Sequence, residues 1–222
     1  MRVDSNPLVP PGLEVVYSDS KLVVVVKPSG LLSVPGKGEE GQDSVVARVQ
    51  AMFPECRRFP DVHRLDMDTS GLMVLALTAR AHRELMQQFH DRVVGKRYVA
   101  LLDGLLDSVL GSEGVVSLPM KRDLEDRPRQ MVTDEGREAV THWLVLGIEA
   151  GKTRVEFTPK TGRSHQLRVH AAHEQGLGVP IVGDRLYGTG TGPGQLKLHA
   201  SYLRFVHPKT GDVLEFESEP GF

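Results

Sequence analysis

Cysteine is almost missing from the 222-residue chain. Cys56 is the only one, so no intramolecular disulfide can form and a reducing compartment, the cytoplasm, is expected. No apolar run approaches the roughly 20 residues that cross a bilayer, so no membrane partner is expected. Met1 to Pro7 carry neither the charged nor the apolar region of a secretory leader. Charge of one sign is lacking too. The formal net charge is −2, which excludes a protein that coats nucleic acid by bulk charge but not one with a local basic groove. Cations do cluster: Arg57 with Arg58, Lys96 with Arg97, Lys121 with Arg122, Arg127 with Arg129, and Lys160 with Arg163. These pairs matter only if the fold gathers them on one face. Cys56 sits in Phe53-Pro54-Glu55-Cys56-Arg57-Arg58 with no nucleophile motif around it, and reads as a spare thiol.

What is present suits a globular enzyme-sized unit. Hydrophobic residues make up 40% of the chain and charged residues 25%, enough for one domain, divisible into two lobes around a cleft. Residues 1–12, rich in proline and polar groups, read as an N-terminal arm, and 13–222 as a single domain. Strands are expected at 13–17 and at 22–26, the second a run with no polar face and therefore covered on both sides. Asp43 or Ser44 should cap a short helix whose stripe is Val45, Val46, Val49 and Met52. A further apolar strand spans 72–77, and a helix follows over 79–91, with Leu85, Met86 and Phe89 on one face. Strand signals then dominate, at 98–102, 115–118, 139–146 and 153–157, with a hairpin turn at 149–152. A second long helix is expected over 164–175, stopped by Gly176, and a closing hairpin pairs 202–206 with 213–217. Strands outnumber helices and hairpins recur, so the fold class is α+β with a mainly antiparallel sheet.

Two segments could carry chemistry. His63-Arg64-Leu65-Asp66-Met67-Asp68-Thr69-Ser70-Gly71 precedes an apolar strand, which makes it a rigid platform for a reactive group. In extended chain Asp66 and Asp68 would point the same way, as acid–base or metal work requires, although Asp, Thr and Ser are also ordinary turn residues. The second segment, Lys160-Thr161-Gly162-Arg163-Ser164-His165-Gln166-Leu167-Arg168-Val169-His170, would open a helix whose free N–H groups and two arginines face an anion. An ordinary capped helix with charged flanks fits as well. His165, His170 and His173 have neither the i, i+4 spacing nor the carboxylate of a metal site, so no metal is expected. Gly188 to Gly194 lacks the lysine and helix of a phosphate loop and reads as a flexible loop.

Taken in order, VKPSGLL at 26–32, HRLDMDTSG at 63–71, KRYVA at 96–100, TGRSHQLRVH at 161–170 and GDRLYG at 183–188 resemble the RluA family of RNA pseudouridine synthases over nearly the whole chain. The lack of an S4-type module before the first strand, with LSVPG at 32–36, is similar to that family's compact, dual-specificity branch. The resemblance implies a mixed, mainly antiparallel sheet in two lobes with a central catalytic cleft and a few flanking helices. It implies RNA as partner, a tRNA anticodon stem-loop and/or a 23S rRNA hairpin, and a monomer without a cofactor, because the reaction is an isomerisation.

By the same resemblance Asp66 is the essential carboxylate, assisting cleavage of the C1′–N1 bond by attack on sugar or base or by removing a ribose proton. Arg168 is the partner that keeps Asp66 anionic and fixed, and Tyr98 stacks on the uracil and helps remove the C5 proton. Arg64 enters the RNA stack when the target uridine is flipped out. His63, Arg163, His165 and Gln166 are expected to bind substrate, and Asp68 falls at a variable site. A non-catalytic RNA-binding or ribosome-assembly protein on the same fold would need an altered Asp66, Tyr98 or Arg168, and all three are intact. A glycoside hydrolase using Asp66 with Asp68 is disfavoured, because carboxylates two residues apart cannot flank a scissile bond.

Overall fold

The computed structural model describes residues 13–38 and 41–222; the arm expected at 1–12 lies outside them. Eleven strands and three α-helices are formed. β1 (Glu14–Ser18) and β2 (Leu22–Lys27) form a hairpin, α1 (Val45–Met52) follows, and then come β3 (Ser70–Ala76), α2 (Ala79–His90) and β4 (Gly95–Leu102). Next are β5 (Glu113–Ser117), β6 (Met120–Arg122), β7 (Gln130–Val132), β8 (Val140–Glu149) and β9 (Lys152–Pro159). α3 (Gln166–Ala172), β10 (Leu198–Val206) and β11 (Val213–Glu217) complete the chain. One sheet runs β1-β2-β3-β10-β4-β9-β8-β5 with β11 on the outside of β10, and β6 pairs with β7 separately. Every pairing is antiparallel except β3 with β10.

The continuous apolar runs of β2 and β3 are explained by helices on both faces. Val23, Val25, Met73 and Leu75 pack with α1, whereas Leu22, Val24, Leu72, Val74 and Ala76 pack with Leu85 of α2. The alternation is the period of two expected of strands. On the other half of the sheet only one face is covered: Ala100, Leu102, Val155 and Phe157 meet Leu167 and Ala171 of α3. The two halves join at the parallel β3–β10 contact. Gly71 opens β3 there at φ +112°, and a Cβ would stand 2.4 Å from the Ala200 carbonyl oxygen, so only glycine permits the approach.

Several expected boundaries move. Ser44 is the cap of α1, its side chain accepting from Ala47 N, and Ala150 and Gly151 take the positive φ of the expected turn. Met86, expected on the buried face of α2, is 43% exposed. The third helix is shorter than 164–175, because His165 adopts a left-handed conformation before Gln166 and Leu177 N returns to the His170 carbonyl. The β6–β7 hairpin has only three residues per strand, too few for a period to register in sequence. Among the described residues no helix is long and apolar enough to cross a membrane.

Candidate active site

The loop entering β3 is fastened from beneath by the segment that leaves β2. Lys27 is fully buried, and its Nζ donates to the carbonyls of Pro28, Leu31 and Met67 at 2.9, 2.7 and 2.7 Å. Burial pulls its ammonium down to about 7, against the opposing charges of Asp68 and Asp66. Gly30 N also donates to the Met67 carbonyl, at 2.9 Å. Ser33 Oγ accepts from Leu65 N and donates to Leu65 O, and the Ser29 hydroxyl donates to the Asp68 carbonyl. The backbone of 65–68 is thus held by four side-chain or main-chain donors from one short segment.

Within that frame the chain turns: Thr69 N donates to the Asp66 carbonyl at 3.1 Å. An i to i+3 bond is a β-turn, so the extended conformation expected at 66–68 does not exist and the two carboxylates diverge. The Asp66 side chain is 30% exposed, and its Oδ2 lies 3.7 Å from Arg168 Nη1. Asp68 is 5% exposed; its Oδ1 accepts from Gly194 N at 2.9 Å and its Oδ2 from Arg185 Nε at 3.1 Å. The segment 188–194, expected to be a free loop, is therefore clasped to Asp68.

The facing wall comes from α3 and the strap that follows it. Arg168, 4% exposed, was expected to be devoted to Asp66. Its Nε and Nη2 instead donate to Oδ2 and Oδ1 of fully buried Asp184, at 2.8 and 2.7 Å, a bidentate pair of the strong type. Asp66 is its second, looser partner. Tyr98 packs against the cores of both halves of the sheet, and burial together with the Asp66 charge pushes its phenol up. Tyr187, raised to about 12 chiefly by burial, accepts from Gln130 N at 2.7 Å. The same oxygen lies 2.8 Å from His165 Nδ1, within hydrogen-bond distance. Burial lowers His165, while Asp66 nearby acts the other way.

The structure thus gathers Asp66, Tyr98, Arg168 and His165, and it gives two expected binding residues, His63 and Gln166, partners within the protein. His63 Nε2 accepts from Val74 N at 3.1 Å and its ring stacks on Phe89 at 4.6 Å. Burial pulls it down to about 3, so it is a neutral prop for β3. Gln166 is buried, with Oε1 accepting from Thr161 Oγ1 and Arg163 N and Nε2 donating to Val140 O and Thr141 Oγ1. Every hydrogen-bonding position of its amide is spent within the protein. The same amide occupies the Arg163 N–H, which the anion reading had left free. Arg163 keeps a half-exposed guanidinium, anchored by Nε to the Glu138 carbonyl. Arg64 is exposed and has no hydrogen bond or ion pair among the described residues. Of the basic pairs, Arg97, Lys121 and Arg129 are matched by Glu156 and Glu217, Glu135 and Asp126. Cys56 is half-buried and its thiol is pushed up by burial, the opposite of a reactive cysteine. Among the described residues no group of His, Cys, Asp and Glu could hold a metal ion.

Lys27, Asp184 and Tyr187 are the site residues that sequence reasoning passed over. All three lie in motifs already singled out, VKPSG and GDRLYG, but their roles depend on contacts 40, 16 and 22 residues away. A family model described as RNA pseudouridylate synthase matches residues 21–173. The chain belongs to that family. This pseudouridine synthase is 45% identical to the dual-specificity RNA pseudouridine synthase RluA of Haemophilus ducreyi, over 99% of each chain. It is also 45% identical to the enzyme of that name from Escherichia coli, over 98% of this chain and 97% of the other. Among solved structures, human RNA pseudouridylate synthase domain containing 1 superposes with TM-score 0.75 at 28% identity, covering 99% of this chain and 87% of that one. Its counterpart, domain containing 4, gives 0.70 at 25% identity, covering 93% and 88%. Full-length likeness to named synthases favours an enzyme acting on RNA over the non-catalytic alternative.

Proposed function

We propose that this synthase isomerises a uridine flipped out of structured RNA, in a tRNA anticodon stem-loop and/or a 23S rRNA hairpin, with Asp66 as the reacting carboxylate. The observation that carries the proposal is the state of Asp66: partly exposed, on a backbone held rigidly, with one guanidinium nitrogen at 3.7 Å. Whether it attacks the sugar, attacks the base or removes a ribose proton, the first step consumes its negative charge. Tyr98 responds to that charge. While Asp66 is ionised the phenol is held protonated, so its ring serves to stack on the uracil. We assign its phenolic oxygen a part in removing the C5 proton that leaves last. Arg64, exposed and without a partner among the described residues, supplies the planar cation that replaces the flipped base, a substitution for stacking worth a few kcal/mol. Arg163 and His165 are the remaining candidates for contacts to RNA.

The single cysteine fits a cytoplasmic enzyme, and we read the active unit as a monomer. The test is incubation with RNA carrying tritium at uridine C5. A synthase releases tritium without strand cleavage or free uracil; a hydrolase frees uracil and a binding protein frees neither. Mapping pseudouridines in cells lacking the protein, in tRNA and in 23S rRNA, checks the substrates. A map unchanged in both RNAs contradicts the assignment.

A further inference from the structure

Asp184 holds four donors at once. Besides Nε and Nη2 of Arg168, its Oδ1 accepts from Leu186 N at 2.9 Å and from Tyr187 N at 3.1 Å. Its side chain is 0% exposed, and the guanidinium it grips is 4% exposed. Nε and Nη2 share one edge of the guanidinium plane, so a carboxylate seated on that edge leaves Nη1 and the second N–H of Nη2 directed elsewhere. Nη1 is the atom that lies 3.7 Å from Asp66 Oδ2, within reach of Coulomb attraction but beyond a hydrogen bond. Were the edge empty, the buried cation would have Asp66 as its nearest anion. A bidentate pair at roughly 2.7–2.9 Å would then occupy the carboxylate lone pairs.

We propose that Asp184 is a positioning residue for Asp66: by occupying the forked edge of Arg168 it leaves the reacting carboxylate one loose contact, orienting it without tying it down. This rests on Asp66 being the reacting group. Asp184 touches no substrate in this account. Its charge faces Arg168 directly, with Asp66, Tyr187 and His165 as the other titratable groups around that guanidinium. The strap carrying it is also the one that Asp68 clasps through Gly194 and Arg185, so loop and strap set each other's placement.

The experiment compares Asp184→Asn and Asp184→Glu with the wild-type full chain, measuring tritium release from C5-labelled hairpin RNA and correcting for the folded fraction by thermal melting. Asp184→Asn leaves the fork half-filled, and kcat should fall roughly 10- to 100-fold with KM changed less than about threefold, as expected when a reacting group is misplaced by about 1 Å. Asp184→Glu restores the charge but shifts the fork, and should recover part of kcat. A folded Asp184→Asn chain with kcat within about twofold of wild type, or a loss confined to KM, overturns the proposal. So does failure of both variants to fold, which would assign Asp184 to stability alone. A wild-type chain that releases no tritium, or an Asp66→Asn chain that does, sinks the underlying reading, and the proposal with it, and is recognised without the Asp184 variants.

Discussion

Asp66 and Asp68 stand two residues apart on one loop, the first 30% exposed with one ion pair among the described residues, at 3.7 Å, the second 5% exposed and holding two hydrogen bonds. The same division runs through the whole site. On the underside, Lys27, Ser33, Asp68, Gln166 and Asp184 have their polar atoms spent on main-chain groups or on neighbouring side chains of Thr141, Thr161, Arg168 and Arg185. On the working side, Arg64 has no partner among the described residues and Asp66 only a loose one. Leaving a buried polar atom unpaired is costly, so the saturated residues are explained by folding. The unsaturated, solvent-reached ones are available to a substrate. Residue type does not separate the two sides; hydrogen-bond accounting does.

Four expected outcomes break or sharpen that contrast. The largest is for Asp66→Asn, which should lower kcat for tritium release by about 10³-fold or more, roughly 4 kcal/mol, while RNA binding and melting temperature stay near wild type. Next is the acid limb of stability. Burial pulls fully buried His170 down to about 4. Between pH 6.5 and 4 the unfolded chain binds a proton that the folded chain refuses, so stability is complete above 6.5 and falls by about 3 kcal/mol towards pH 4. His63, pulled down to about 3, acts in the same direction. Urea midpoints measured across that range should fall less steeply in His170→Gln; an identical slope contradicts the reading. Third, Asp68→Ala should cost about 2 kcal/mol of stability, from the loss of the two hydrogen bonds its buried carboxylate accepts, with a smaller kcat loss than Asp66→Asn in the folded fraction. Equal kcat losses at the two aspartates would dissolve the contrast. The smallest is Arg64→Ala: about tenfold in turnover on structured RNA, less in RNA binding, and within about 0.5 kcal/mol of wild-type stability. Equal losses in turnover and binding count against base flipping.

Strands with long apolar or alternating patterns were legible in sequence, because burial on one or both faces of a sheet writes that pattern directly: β2, β3 and β9 are examples. The three-residue β6 and β7 were not, and the third helix was overdrawn because Gln166 looks like any helical residue until its amide is found capping the turn before it. At the candidate site, Asp66, Tyr98, Arg168 and His165, drawn from three separate motifs, lie near one another. What sequence could not supply was direction. An extended reading put Asp66 and Asp68 side by side, whereas one backbone hydrogen bond, Thr69 N to Asp66 O, turns them apart. His63 and Gln166 sit in the same motifs as Asp66 and Arg168, and only their partners reveal that they hold the frame. Arg168 was legible as the cation, but its principal anion, Asp184, is 16 residues away on another segment.

The most direct test is a structure of the Asp66→Asn chain bound to a uridine-containing hairpin. The account predicts the target uridine out of the stack, its ring against Tyr98, and the residue 66 carboxamide within about 3.5 Å of the sugar or base atom it would engage. A flipped uridine lodged elsewhere, with residue 66 out of reach of both its sugar and its base, would contradict it.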